Sequence, residues 1–327
     1  MRILVTGGAG YIGSHAAKLF TKRGHDVWVY DNLCYGHRAA VPSEQLIVGD
    51  LGNVGQLETA LRSHQIEAVV HFAAFTYVGE SVQDPEKYYH NNLANALTLL
   101  NCMRRAGVNR IVFSSTCATY GIPQQVPITE DEPQQPINPY GRAKLAVEWA
   151  LRDYSAAYKL SFAALRYFNA SGASADGDLG EDHRPETHLI PLVLQVALGQ
   201  RPQIEVFGTD YPTPDGTCIR DYIHVDDLAE AHLLALLKLG AGEALAYNLG
   251  IGAGYSVREV VETCQQVTGK KIPVKEGPRR AGDPPALVAA PQRAMRELQW
   301  QPRYTELRPI VESAWRWHQA HPNGYSD

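Results

Sequence analysis

An α/β fold is predicted for this chain: a doubly wound parallel sheet with a smaller C-terminal α/β lobe. Three observations predict it. Short apolar runs alternate with longer amphipathic ones through the first half; the first apolar run ends in a glycine-rich loop that opens a helix; and the alternation loosens after about Asn169. With 327 residues the chain can fill a large core and still build a second lobe.

The elements follow in order. Residues 2–6 read as a strand rich in Ile, Leu and Val, and 11–23 as a helix stopped near Gly24. Strands are expected at 26–30, 45–48 and 68–72, with a helix at 54–64 between the last two. A long helix is expected over 85–105, with proline in its first turn. A strand at 110–115, a helix at 140–158 and a strand at 162–166 complete the alternation. Residues 1–168 are expected to form the sheet domain. Residues 169–327 are expected to form most of the second lobe, with some chain returning to the sheet. In that part the spacing predicts strands at 203–207 and 246–249 and helices at 226–238 and 257–268. Loops rich in Gly and Pro are expected at 176–180, 211–216 and 277–285.

Composition excludes several classes. The 30 basic and 35 acidic residues leave a net charge of −5, against the basic surplus of a nucleic-acid binder. No apolar run approaches the ~20 residues of a membrane span. Cys34, Cys102, Cys117, Cys218 and Cys264 show no redox or metal spacing, and the histidines show no ligand spacing with carboxylates or cysteines, so no metal is expected. The strand begins directly after Met1, with no charged-then-apolar leader before it, and a cytoplasmic location is expected.

The loop Gly7-Gly8-Ala9-Gly10-Tyr11-Ile12-Gly13 stands at a strand-to-helix turn. A side chain there would block the approach of a pyrophosphate, and the helix end offers N–H groups and a positive dipole to it. The second strand ends at Asp31, whose carboxylate can accept from adenosine ribose hydroxyls and would repel a 2′-phosphate. With Asn32 and Leu33 next and no adjacent arginine, NAD is favoured over NADP. This strand–loop–helix unit makes the sheet one of Rossmann type.

Tyr140 and Lys144 stand four apart on the helix predicted at 140–158, so they share a face. Alone, that spacing is also the mark of a solvated helix surface. A phenol is a poor base near neutrality, and an adjacent ammonium together with an oxidised nicotinamide favours its anion. Thr116, just past the strand at 110–115, carries a hydroxyl that either meets the same substrate oxygen or caps its own turn.

On these motifs the chain resembles the extended short-chain dehydrogenase/reductases and, within them, the UDP-glucose 4-epimerase branch. Residues 7–15, 31–33, 71–74, 78–82, 88–92, 113–121, 138–144, 166–169, 210–227 and 279–283 carry the resemblance, which spans nearly the whole chain. It implies interconversion of UDP-glucose and UDP-galactose by reversible hydride transfer from C4 to tightly bound NAD, through a 4-keto sugar. Tyr140 would be the acid/base, Lys144 its electrostatic partner and a ribose ligand, and Thr116 the hydrogen-bonding hydroxyl. Cofactor contacts would come from Gly7, Gly10, Tyr11, Ile12, Gly13, Asp31, Asn32, Asp50, Leu51, Phe72, Ala73, Ala74, Asn91, Ser114 and Tyr167. Thr76 departs from relatives that place a lysine near the cofactor phosphates.

The same resemblance assigns Arg220 and Arg280 to the diphosphate, Phe207 to the uracil, Asp283 to the uridine ribose, and Asn169 and Leu189 to the substrate. His188 is either a phosphate contact or a loop histidine. Leu287 would border the sugar, a position where N-acetylated sugars are admitted or refused, and pentose sugars such as UDP-arabinose or UDP-xylose are a further alternative. A dehydratase would need an acid and a base directly after the strand-end threonine, where this chain has Cys117 and Ala118. The resemblance also implies a homodimer through the helices at 85–105 and 140–158, with Leu93, Leu97 and Leu100 as an apolar stripe.

Overall fold

The computed structural model describes residues 1–280 and 283–326. Its elements in chain order begin with β1 (Arg2–Thr6), α1 (Tyr11–Lys22), β2 (Asp26–Asp31), β3 (Leu46–Val48), α2 (Val54–Ser63) and β4 (Ala68–His71). Next come α3 (Val78–Gln83), α4 (Pro85–Tyr88), α5 (Asn95–Ala106), β5 (Arg110–Thr116), α6 (Pro139–Tyr158), β6 (Ser161–Tyr167) and β7 (Asn169–Ser171). The remainder is α7 (Leu189–Ala197), β8 (Ile204–Phe207), β9 (Ile219–His224), α8 (Val225–Lys238), β10 (Ala244–Leu249), β11 (Gly254–Ser256), α9 (Val257–Thr268), β12 (Val274–Gly277), β13 (Ala286–Leu287), α10 (Gln292–Leu298) and α11 (Leu307–Ala320).

Seven strands form one sheet in the order β10-β6-β5-β4-β1-β2-β3, and every pairing in it is parallel. Side chains alternate across it as strand geometry requires. Ile3 and Val5 face one apolar layer built with α1 and α8, whereas Leu4 faces the other, built with α2, α5 and α6. Both faces are therefore covered, which is why the strands read as nearly continuous apolar runs. The order reverses between β1 and β4, and the crevice beyond their carboxyl ends is where such a sheet takes its ligand.

The structure corrects the expected helix over 85–105. It is interrupted by a π-helical turn, Tyr89–Ala94, between α4 and α5. The turn is held from the side: Asn92 Oδ1 accepts from the Phe75 amide at 2.9 Å, and its Nδ2 donates to the Phe75 carbonyl at 2.8 Å. The wide turn carries Asn91 to the cleft wall. Leu93, Leu97 and Leu100 pack on the apolar layer beneath the sheet, so the stripe they form faces inward.

Residues 246–249 form a strand, as the spacing predicts. They belong to β10 at the edge of the main sheet, paired with β6. The helix at 226–238 is α8, and its Leu228, Leu233 and Leu236 join the layer under β1. The lobe combines the expected helix at 257–268 (α9) and strand at 203–207 (β8) with elements the spacing did not show. Helices α7, α9 and α11 bury Ile190, Leu194, Val260 and Ile310 in a third apolar layer. Strands β7, β11 and β13 pair with β9, and β12 pairs with β8.

Candidate active site

Between the sheet's carboxyl edge and the lobe lies one cavity of about 1620 Å³. All of the residues named above for cofactor, substrate and chemistry line it, including Thr76 and Leu287. Within the carry-over stretch 279–283, residues 281–282 lie outside the described residues.

At the first end, Gly7 has φ +71, and a Cβ there would strike the backbone of Phe72 and Ala73. A Cβ at Gly13 would strike the Gly7 carbonyl, so helix α1 can close on the loop only with glycine. Helix α1 begins after Gly10 with no side-chain cap and no acidic residue in its first turn, which leaves its amide end suited to an anion. Asp31 is buried: Oδ2 accepts the Ala9 amide and Oδ1 the Leu33 amide, each at 2.9 Å. Burial raises its pKa and those two amides oppose the rise. Asn32 donates to Asp50 Oδ2 at 2.8 Å, which fixes the edge of the same pocket. A cradle that only glycine fits, an uncapped helix end and a buried carboxylate at the second strand suit a dinucleotide without a 2′-phosphate.

At the middle, Asn138 caps α6 by accepting the Gly141 amide at 2.8 Å, with Pro139 in the first turn. That start aims Tyr140 and Lys144 into the cleft on one buried face. Lys144 Nζ donates to the Ser114 carbonyl at 2.8 Å and lies 6.0 Å from the Tyr140 ring centre. Thr116 Oγ1 accepts the Ala118 amide at 3.2 Å, so it does cap its turn. Its hydroxyl also acts on the Tyr140 phenol, favouring the phenolate. The cap uses a lone pair and leaves the hydroxyl hydrogen free for that second role.

Tyr140 and Lys144 are both shifted from their ordinary values. Burial is the largest influence and raises Tyr140 well above 10; the nearby Tyr167 phenol adds to the rise, and Thr116 opposes it. Burial also lowers the Lys144 pKa to about 7. Taken out of water, both groups move toward their neutral forms.

Toward the lobe, Arg220 pairs with Asp283 and donates to the Ile219 carbonyl at 2.7 Å. Leu287 stands opposite Arg220 in the β13–β9 register. The Arg280 guanidinium lies 4.0 Å from the centre of the Phe207 ring. His188 faces Glu181 and Glu186 rather than a cation-lined anion pocket.

Several residues of the site went unseen in the sequence. A buried network under the end of β5 joins Glu148 to Arg166 at 2.7 Å and to Ser115 at 2.6 Å, with Tyr120 and Asn248 beyond. Its trace was available: Tyr140, Lys144 and Glu148 stand at i, i+4 and i+8 on one helix face. Glu181, His183 and Glu186 also line the cavity, and their alternating spacing falls outside the usual ligand patterns.

Comparison with known proteins agrees with the geometry. The sequence pattern of the NAD dependent epimerase/dehydratase family matches residues 3–250. The UDP-glucose 4-epimerase of Halalkalibacterium halodurans is 52% identical over 327 residues, covering 100% of this chain and 98% of that protein. The crystal structure of UDP-glucose 4-epimerase from Brucella ovis in complex with NAD superposes with a TM-score of 0.93 at 52% identity, covering 96% of this chain and 97% of that one. The enzyme from Bifidobacterium longum in complex with NAD+ and UDP gives a TM-score of 0.95 at 38% identity, covering 99% and 100%.

Proposed function

This chain belongs to the NAD dependent epimerase/dehydratase family, and from that membership we propose that it interconverts UDP-glucose and UDP-galactose by inverting C4 of the sugar. The observation that carries the reading is the single cavity of about 1620 Å³, in which the glycine cradle, the buried Tyr140–Lys144–Thr116 group and the Arg220/Arg280 end are continuous. A cleft for one small ligand is typically ~300–1,000 Å³, so this one has room for a dinucleotide and a nucleotide sugar together.

Gly7, Gly10, Gly13 and the start of α1 would hold the NAD pyrophosphate, and Asp31 its adenosine ribose. NAD bound there supplies the acceptor and donor of the C4 hydride, so the sugar passes through a 4-ketone with no net oxidation. Tyr140 takes the 4-OH proton as the hydride leaves and returns it after the ketone has presented its other face. Thr116 holds that oxygen in line with the phenol. Lys144, tethered to the Ser114 carbonyl, sets positive charge beside the phenol and favours its anion as the proton arrives or departs. Arg220 and Arg280 would bind the diphosphate, a task their forked donors suit.

Cys117 and Ala118 follow Thr116, so the acid and base of an elimination are missing from their place, and epimerisation is favoured over dehydration. A homodimer through α5 and α6 is part of the proposal, supported by Trp149 and Tyr158 of α6, which are 56% and 53% exposed. So is a cytoplasmic location, supported by five free cysteines. No helix of the described residues is long and apolar enough to cross a membrane. The test is to give purified protein UDP-galactose without added NAD and to separate the products. Conversion to UDP-glucose is expected; no conversion by NAD-loaded protein would refute the reading.

A further inference from the structure

On the loop that leads into α7, four side chains turn their donor atoms toward one point. One atom each from Glu181, His183, Glu186 and His188 lies within 4.8 Å of the other three. His183 Nδ1 is 3.2 Å from Glu181 Oε1 and 3.6 Å from Glu186 Oε2. His188 Nδ1 is 2.7 Å from Glu181 Oε1 and 3.3 Å from Glu186 Oε1. Four atoms at about 2.0–2.1 Å from a tetrahedral zinc ion stand about 3.3–3.4 Å apart; the separations of 2.7, 3.2 and 3.6 Å lie on either side of that edge, and the whole set lies within 4.8 Å.

The separations alone would also suit two imidazolium–carboxylate pairs. Hydrogen bonding distinguishes the cases. The atoms Glu181 Oε1, His183 Nδ1 and His188 Nδ1 are buried, and none of the three has a hydrogen-bond partner among the described residues. The ring nitrogens and carboxylate oxygens are therefore close without the alignment of a good hydrogen bond. Glu181 is only 4% exposed, and a buried carboxylate oxygen without a donor is costly. Lone pairs that converge without bonding one another describe a ligand set.

We propose that Glu181, His183, Glu186 and His188 form a site for a divalent first-row transition ion, zinc before others. Two imidazoles and two carboxylates match its mixed nitrogen and oxygen preference, whereas magnesium and calcium take oxygen ligands in larger number. The two carboxylates balance the charge of the ion. Binding it displaces any protons on the imidazoles. Glu186 is already oriented, because its Oε1 accepts the amides of Thr187 at 2.7 Å and His188 at 2.8 Å, leaving Oε2 to turn inward. Four protein ligands close the tetrahedron, so the ion is structural and offers no position to substrate. Its neighbours fix what it would pin. Tyr11 of α1 packs edge-on to His183 at 6.2 Å, and Tyr77 donates to the Pro185 carbonyl at 2.7 Å. The ion thus secures segment 181–188 where it meets the glycine loop and the loop after β4.

The experiment loads the NAD-containing protein with zinc chloride, removes the excess by desalting and measures metal by mass spectrometry. About one zinc per chain is expected, and cobalt-loaded protein is expected to show the intense visible bands of a tetrahedral centre. His183→Ala and the milder Glu186→Gln are each expected to lower retained zinc by about tenfold or more, with bound NAD unchanged as evidence of folding. Wild-type protein that retains no stoichiometric zinc, or NAD-loaded variants that retain as much as wild type, would overturn the proposal.

Discussion

Arg166 on β6 and Glu148 on α6 meet at 2.7 Å with side chains only 3% and 1% exposed. Glu148 also accepts from Ser115, and Ser115 stands opposite Arg166 in the β5–β6 register. The pair therefore clamps the strand end that presents Thr116 against the helix that presents Tyr140 and Lys144. Removing one partner strands the other charge in the interior, at a cost of about 3–5 kcal/mol. Glu148→Ala is expected to lower the melting temperature markedly in calorimetry, and an unchanged melting temperature would contradict the clamp.

In the proposed reaction Tyr140 exchanges the 4-OH proton. Its loss is expected to lower turnover of UDP-galactose by about 10²–10⁴-fold. In Tyr140→Phe the NAD absorbance of the purified protein should match wild type, since the ring remains. Near-normal turnover would remove Tyr140 from its role.

Asp31 links cofactor choice to loop geometry, because the carboxylate that would take the ribose also accepts the Ala9 amide. A hydrogen bond to a charged group contributes about 1.5–3 kcal/mol, so Asp31→Ala is expected to weaken NAD retention by roughly 10–100-fold. NAD remaining after extended gel filtration measures this. Full retention would contradict the assignment.

Acid stability follows from three buried histidines. Burial lowers His71 to about 3, and His224 and His232 to about 4, from an ordinary 6.5. Between pH 6.5 and about 4 the unfolded chain binds protons at these positions and the folded chain does not, so stability falls as pH falls through that window. Asp221, raised by burial to about 6, and Asp31 and Asp227, also raised by burial, act in the opposite sense, while the buried His318, lowered too, acts with the histidines. Melting temperature should drop between pH 6.5 and 4, and His232→Gln should flatten the drop.

The sheet half was legible because local pattern and tertiary role agree there. Val5, Gly7 and Asp31 occupy positions whose chemistry is set within one strand–loop–helix unit. The lobe was less legible. Leu189–Ala197 is apolar nearly all round with a proline inside, which leaves its period ambiguous until α9 and α11 are packed on it. The Tyr140–Lys144 spacing was readable, but not the desolvation that raises one group and lowers the other, which depends on how residues distant in sequence, such as Tyr88, Ser114 and Tyr167, pack around them. The convergence of Glu181, His183, Glu186 and His188 depends on how a non-repetitive loop folds, and no helical or strand period encodes it.

In the proposed reaction the C4 hydrogen leaves and returns as a hydride inside the site while Tyr140 handles only the hydroxyl proton. UDP-glucose deuterated at C4, converted in ordinary water and analysed by mass spectrometry and NMR, tests this directly. UDP-galactose that keeps its deuterium at C4 is expected. Loss of the label to solvent would contradict it.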